Sequence, residues 1–261
     1  PASITIPTQR APGFLEPIRP LLFRPDVLDE KAWLDGIQWL DNDKKWSFMF
    51  QSVVNLLLIN SDLVKDGEIK TAADLLDPKW KGKITASDPR MSTFWGEATA
   101  MRTAMGDAVF ADAMKRLIKD QDVAFHAQAR QRAEGMIRGQ YALGWGVPRI
   151  DLKEFTDAGL GKNLKYIQVQ GFSYVPCTGI WFYNRAPHPS AAKLFANWIL
   201  TKAGQQAWST NAQTNVRRLD VPPFDPERLP PPGNKYIFLG DETSITSTDQ
   251  TQKIINQVLQ S

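Results

Sequence analysis

Between residues 71 and 105 the chain reads TAADLLDPKWKGKITASDPRMSTFWGEATAMRTAM, and the order of breakers in this stretch restricts the fold more than any other segment. Thr71 or Asp74 can cap a short helix, which must stop at Asp77 because the ring of Pro78 pushes its predecessor out of the helical region. A tight basic turn follows from Lys79 to Lys83. A strand starts at Ile84 and breaks at Asp88-Pro89, and Ser92 and Thr93 stand where a new helix opens. A strand feeding a polar loop and a bare helix amino end is an anion site, since the first amides are unpaired and the macrodipole is positive there. The two hydroxyls are also ordinary capping groups, so they carry both readings.

Periodicity predicts the rest. Residues 1–25, rich in proline, read as extended chain and turns. Asp26 opens a helix to about Leu40, with Leu28, Trp33, Leu34, Ile37 and Leu40 near helical spacing and Gly36 weakening it. Trp46, Phe48 and Phe50 alternate as a strand with one aromatic face, and the nearly all-apolar run 53–59 reads as a strand buried on both sides. Helices are predicted over 94–105 and 107–118, divided at Gly106, then a strand over 121–125 and a helix over 127–138. Residues 141–149 read as a strand running into a glycine-rich mouth, Gly144-Trp145-Gly146-Val147-Pro148-Arg149. A helix over 152–158 and strands over 164–169 and 180–183 follow. Next come a helix over 190–200 with Ala191, Leu194, Phe195 and Trp198 on its inner face, a proline-crowded loop over 221–233 and a last helix over 246–259.

The run ADLLDPKWKGKI at 73–84 resembles the segment that leads into the second lobe of solute-binding proteins of ABC importers, in the branch that includes the ferric-iron binders. A second block, PHPSAAKLFANWIL at 187–200 with GQQAW at 204–208, is similar to the family's return of the chain into the first lobe. Both lie in the family's order, and the match covers most of the chain. The resemblance implies an α/β fold that is two-lobed, periplasmic-binding-protein-like (type II), with a ligand cleft between the lobes. Residues 1–82 and 178–261 are then lobe 1 and residues 83–177 lobe 2, with crossings near Gly82 and Cys177. Family members normally begin with a strand–helix–strand unit that founds the first lobe. That unit is not found here, so the first lobe is expected to lack it. The implied function is the substrate-binding component of an ABC importer, a periplasmic monomer that captures a small-molecule solute by hinge closure and delivers it to the membrane permease. A ligand-sensing regulatory domain of the same fold is a second class, since one fold hosts many functions.

Ferric-iron binders of the family carry two adjacent tyrosines at the mouth, whose phenolates hold the metal. Here the place reads Trp145-Gly146-Val147-Pro148-Arg149, and no two tyrosines are adjacent anywhere. Indole offers only an N–H and guanidinium is a fixed cation, whereas a hard ferric ion wants anionic oxygen. An arginine fork and an indole face suit a carboxylate, phosphonate or sulfonate with some carbon surface. The expected ligand-binding set is Ser92, Thr93, Trp95, Trp145, Arg149 and Tyr174, with Trp46 as a further candidate at the start of its strand. The plainer roles are a surface ion pair for Arg149, packing at the hinge for Tyr174 and core for Trp46. Ferric iron or an iron–anion complex is the competing ligand. No metal ligand set and no cofactor is expected.

Composition serves mainly to exclude. With 43% hydrophobic and 23% charged residues over 261 positions the chain suits globular domains, and 31 basic against 28 acidic residues leave +3, too mild for a nucleic-acid partner. No run approaches the roughly 20 apolar residues of a membrane span, and no signal-peptide pattern opens the chain. Cys177 is the single cysteine, which rules out an internal disulfide. Of the two histidines, His188 lies between prolines and His126 follows a strand. With no GxSxG, P-loop or strand-borne GxGxxG, no enzymatic activity is expected.

Overall fold

The structure, a computed structural model, describes residues 10, 12–52, 54–229 and 238–261. Along the chain, β1 (Leu15–Glu16), α1 (Pro25–Leu28), β2 (Gln38–Trp39) and β3 (Ser47–Ser52) come first. They are followed by β4 (Leu57–Asn60), β5 (Ile84–Ser87), α2 (Ser92–Met105), α3 (Asp107–Lys115), β6 (Ala124–His126), α4 (Ala129–Ile137), β7 (Leu143–Gly144), α5 (Arg149–Asp157) and β8 (Leu164–Ile167). The remainder is β9 (Val175–Tyr183), α6 (Pro189–Ile199), α7 (Lys202–Ala212), β10 (Phe238–Leu239) and α8 (Ile245–Gln260). The chain forms two compact units, one of Pro1–Val54 with Val175–Thr246, the other of Asn55–Tyr174 with Ser247–Ser261.

The first unit is built on the sheet β1-β9-β3-β2, with β10 added to β9. Strand β3 lies antiparallel to β9, Ser47 opposite Trp181, and the register shifts between Met49 and Gln51. The aromatic alternation sends Phe48 and Phe50 into a core with Ile18, Trp33, Phe182 and Leu200, while Met49 meets Leu40 and Cys177 on the opposite face. The second unit holds the sheet β6-β5-β7-β4-β8, in which β5 runs parallel to β6 and β7, and β4 antiparallel to β7 and β8. All four residues of β5 are buried, as a central strand covered on both faces requires. Its core gathers Phe94, Phe110, Trp145 and Phe172 with Ile254 and Ile255 of α8. Each buried phenylalanine contributes about 1.5–3 kcal/mol of transfer free energy.

Several expectations are corrected. The helix predicted from Asp26 to Leu40 is only α1 and a short 3-10 turn, because Asp35 and Gly36 take positive φ and Trp33 extends to bridge Arg218 while its indole donates to Val27 O at 2.9 Å. Of the strand predicted over 53–59 the second half forms, as β4, buried at every residue and paired with β7 and β8, whereas β3 ends at Ser52 and pairs with β9. In consequence the second unit begins at Asn55 and includes the end of the chain, where the sequence-based division placed only 83–177. Trp198, predicted inside, is exposed together with Leu194 and Phe195, and α6 buries Ala196, Asn197 and Ile199 instead. The side-chain amide of Asn197 explains that face, donating to Leu21 O at 2.9 Å and accepting from Phe23 N–H at 3.0 Å. The readings of 1–25 and 221–233 fall partly outside the described residues.

Candidate functional site

The parallel strands β5, β6 and β7 end at one edge of the second sheet, at Ser87, His126 and Gly144, and β4 starts from the same edge just after Asn55. In open α/β sheets ligands bind beyond this carboxyl edge. Because β5 and β7 are neighbours, with Thr85 opposite Gly144, the loops that follow them lead side by side into α2 and α5. Gly146 measures how closely they pack: a Cβ there would lie 3.3 Å from Ser87 Oγ and 3.7 Å from Thr93 O, and its φ of +70° demands glycine.

No side chain caps α2. Its N-cap is Met91, and Ser92 and Thr93 are the first two helical residues with exposed side chains, so the capping role does not fall to them. Two hydroxyls and a helix amino end therefore face outward together. The preceding loop is stiffened locally. Asp88 accepts from Arg90 Nε at 2.8 Å, and that hydrogen bond, working against partial burial, holds the Asp88 carboxyl below its usual range. Trp95 is a strut, its indole donating to Pro89 O at 3.0 Å while its ring packs on the core.

Trp145 is not a flat wall at the surface. It is 2% exposed, stacked on Phe94 with centroids 4.1 Å apart and edge-on to Phe172 at 4.9 Å. Beside it the buried Ser87 Oγ lacks a hydrogen-bond partner. Glu97 sits in the second turn of α2, and Asn55 Nδ2 donates to its Oε1 at 2.5 Å. Burial pushes this carboxyl up to about 7, opposed by its own amide, the Trp145 and Asn55 side-chain N–H groups and the charge of Arg132. Arg132, itself buried, donates to Gly146 O at 2.7 and 3.1 Å and to His126 O at 2.5 Å, so one guanidinium ties the ends of β6 and β7 together. Tyr174 joins the same group. Its carbonyl accepts from Asn55 N–H at 2.7 Å, and its hydroxyl lies so close to Gly96 that a Cβ there would overlap it.

Arg149 is the first residue of α5, half-buried, its guanidinium 4.6 Å above the Tyr166 ring. Tyr166 in turn donates to Val147 O at 2.7 Å, which fixes the platform. Five of the seven predicted residues thus belong to the loops and first turns at this edge, and Tyr174 packs against α2. Trp46 belongs to the first unit, where its backbone N–H donates to Asp41 Oδ1 at 3.0 Å and its indole to Asp43 Oδ2 at 3.2 Å, fastening a turn. Sequence reasoning missed Asn55, Ser87, Glu97 and Arg132. Glu97 had a signal, a lone carboxylate at helical spacing with Phe94 and Met101.

Residues 6–217 match the profile of a family described as bacterial extracellular solute-binding protein. No curated protein matches the chain in sequence. In fold it is similar to iron-bound HitA from Pseudomonas aeruginosa, at 15% identity and TM-score 0.72, over 98% of this chain and 80% of that one. It is similar also to the spermidine/putrescine ABC transporter substrate-binding protein PotD from Streptococcus pneumoniae, at 14% identity and TM-score 0.70, over 98% and 80%. A third likeness is to the periplasmic binding protein AfuA from Actinobacillus pleuropneumoniae, at 19% identity and TM-score 0.67, over 97% and 77%. These structural likenesses show a shared α/β fold, the type II periplasmic-binding-protein fold. No helix among the described residues is long and apolar enough to cross a membrane. The match over most of the chain, laid on two α/β units, shows that the chain belongs to the family of bacterial extracellular solute-binding proteins.

Proposed function

We propose that the chain captures, in the periplasm and as a monomer, a small organic solute with an anionic head, and hands it to a membrane permease. The observation that carries this reading is the amino end of α2. It has no side-chain cap, presents the Ser92 and Thr93 hydroxyls, and lies against the Gly146 loop with the buried, unpartnered Ser87 Oγ beside it. Backbone amides and hydroxyls in this arrangement select anions, and Arg149 at the start of α5 adds a positive charge on the neighbouring loop. The fructose-6-phosphate in the AfuA structure is a ligand of that chemical class.

Iron is the competing ligand, as HitA was solved with iron bound. Where the family's ferric-iron binders carry adjacent tyrosines this chain has Trp145 to Arg149, an indole and a fixed cation, which favours the organic head. Thermal shift followed by calorimetry against carboxylates, phosphonates, sulfonates, sugar phosphates, polyols and ferric salts tests the assignment. Stabilisation by an organic anion is the expected result. Arg149→Ala then weakens that binding by roughly ten- to a hundredfold, the loss of one charge-assisted hydrogen bond. Stabilisation by ferric ion alone, with no anion required, overturns the reading.

A further inference from the structure

Glu97 is 2% exposed and stands on α2, the helix whose amino end presents the Ser92 and Thr93 hydroxyls. At a rise of about 1.5 Å per residue, its place on the helix lies about 7.5 Å behind Ser92. We propose, on the reading of the α2 amino end as the solute's anion site, that capture of an anion there is coupled to uptake of a proton by the buried carboxyl of Glu97.

The carboxyl is held from two sides. Asn55 Nδ2 donates to Oε1 at 2.5 Å, and Trp145, in the loop between β7 and α5, gives its indole N–H. The residue after Trp145 is Gly146, where a Cβ would lie 3.3 Å from Ser87 Oγ and 3.7 Å from Thr93 O, so the loop that grips Glu97 also walls the α2 amino end. Ser87 Oγ, buried and without a hydrogen-bond partner, is a further polar atom beside that end. The charge acting on Glu97 is that of Arg132 on α4, which directs its own donors to Gly146 O and His126 O and is answered by Asp151 of α5. Tyr174 brings its hydroxyl against Gly96, and Asp88 and Arg90, before α2, pair with each other at 2.8 Å. His126, opposite Ser87 across β5 and β6, is a second titratable side chain at this edge.

Two donors and a cation favour the ionised carboxyl, and burial opposes them and wins, raising it to about 7. The two forms are thus nearly balanced around neutral pH, where a second negative charge tips them. An anion at the α2 amino end repels ionised Glu97 through protein rather than bulk water, which over about 9 Å weakens its binding about tenfold relative to the protonated form. The coupling is reciprocal: the bound anion raises the affinity of Glu97 for its proton by the same factor. Capture is then tighter below neutral pH, and the solute brings a proton with it into the second unit.

Sulfate and ethanesulfonate are the probes, because their charges stay fixed between about pH 6 and about pH 8.5 and any pH dependence of binding then belongs to the protein. Calorimetry on the whole chain uses amine buffers, which bring no competing oxyanion. Kd is expected to rise roughly five- to tenfold from about pH 6 to about pH 8.5. Roughly half a proton is taken up per anion at about pH 7.5, read from the difference in heat between triethanolamine and Tris buffers. Glu97→Gln, which cannot ionise, flattens the profile and abolishes the uptake, whereas His126→Asn keeps both; the profile of the parent chain needs no variant. Equal Kd at the two pH values, heats that do not depend on the buffer, or an uptake lost in His126→Asn and kept in Glu97→Gln overturns the coupling and leaves the anion site standing. If neither probe binds at either pH, the anion site and the coupling fall together.

Discussion

Glu97 shows at the scale of one residue what burial does at this sheet edge. Folded, its carboxyl is raised to about 7, with burial the largest cause, against an ordinary value of 4.5. Between those two values the folded chain keeps a proton that the unfolded chain has lost, so unfolding free energy falls as pH rises from about 4.5 to about 7 and is level above. The span corresponds to about 3 kcal/mol. Glu97→Gln retains an oxygen for Asn55 to donate to and cannot ionise, so it removes this slope. Urea unfolding at about pH 5 and about pH 8 compares the two proteins, and an equal slope in both sinks the assignment. The exposed hydroxyls of Ser92 and Thr93 were legible in the chain because their setting is local. Glu97 showed only as a carboxylate at helical spacing with Phe94 and Met101, because a helix sequence does not say which neighbouring sheet its second turn will meet.

Two glycines separate side-chain from backbone crowding at the scale of elements. Gly204 lies in the first turn of α7, where its N–H donates to the Thr201 hydroxyl at 3.1 Å. A Cβ there would overlap Trp198 O and come within 2.6 Å of Ile199 Cα, backbone atoms of α6 that cannot swing aside. Gly204→Ala is therefore expected to cost roughly 3 kcal/mol, read as a lower denaturation midpoint. At Gly96 the obstacle is the phenol end of Tyr174, a side chain that can move. Alanine also gains about 1 kcal/mol of helix propensity, so Gly96→Ala leaves stability within about 1 kcal/mol of the parent. Solute affinity falls because Tyr174 is displaced from α2. A variant that binds as tightly as the parent removes Tyr174 from the site.

At the scale of the whole molecule, each unit has its own hydrophobic core. Ile18, Trp33, Phe48 and Leu200 cluster in the first, and Phe94, Phe110, Phe172 and Ile255 in the second. Separate cores permit separate melting, so calorimetry is expected to show two overlapping transitions. Phe110→Ala, at a wholly buried position of the second unit, should destabilise one of them by about 3–5 kcal/mol and spare the other. A single transition shifted as a whole by that variant contradicts independent cores.

The sequence by itself determined where β5 stops and α2 starts, because Pro78, Asp88-Pro89 and Gly106 act on their immediate neighbours through sterics. It also determined the family, through two blocks in the right order. Tertiary structure alone decided that Trp33 leaves a helical pattern to bridge Arg218, that Trp145 stacks inside while Trp198 stays outside, and that the change of unit falls at Asn55. Each of these depends on a partner distant in the chain: β9 for β3, β7 and β8 for β4, Phe94 for Trp145. Pairing and burial belong to the pair, and one strand read alone carries only half of that information.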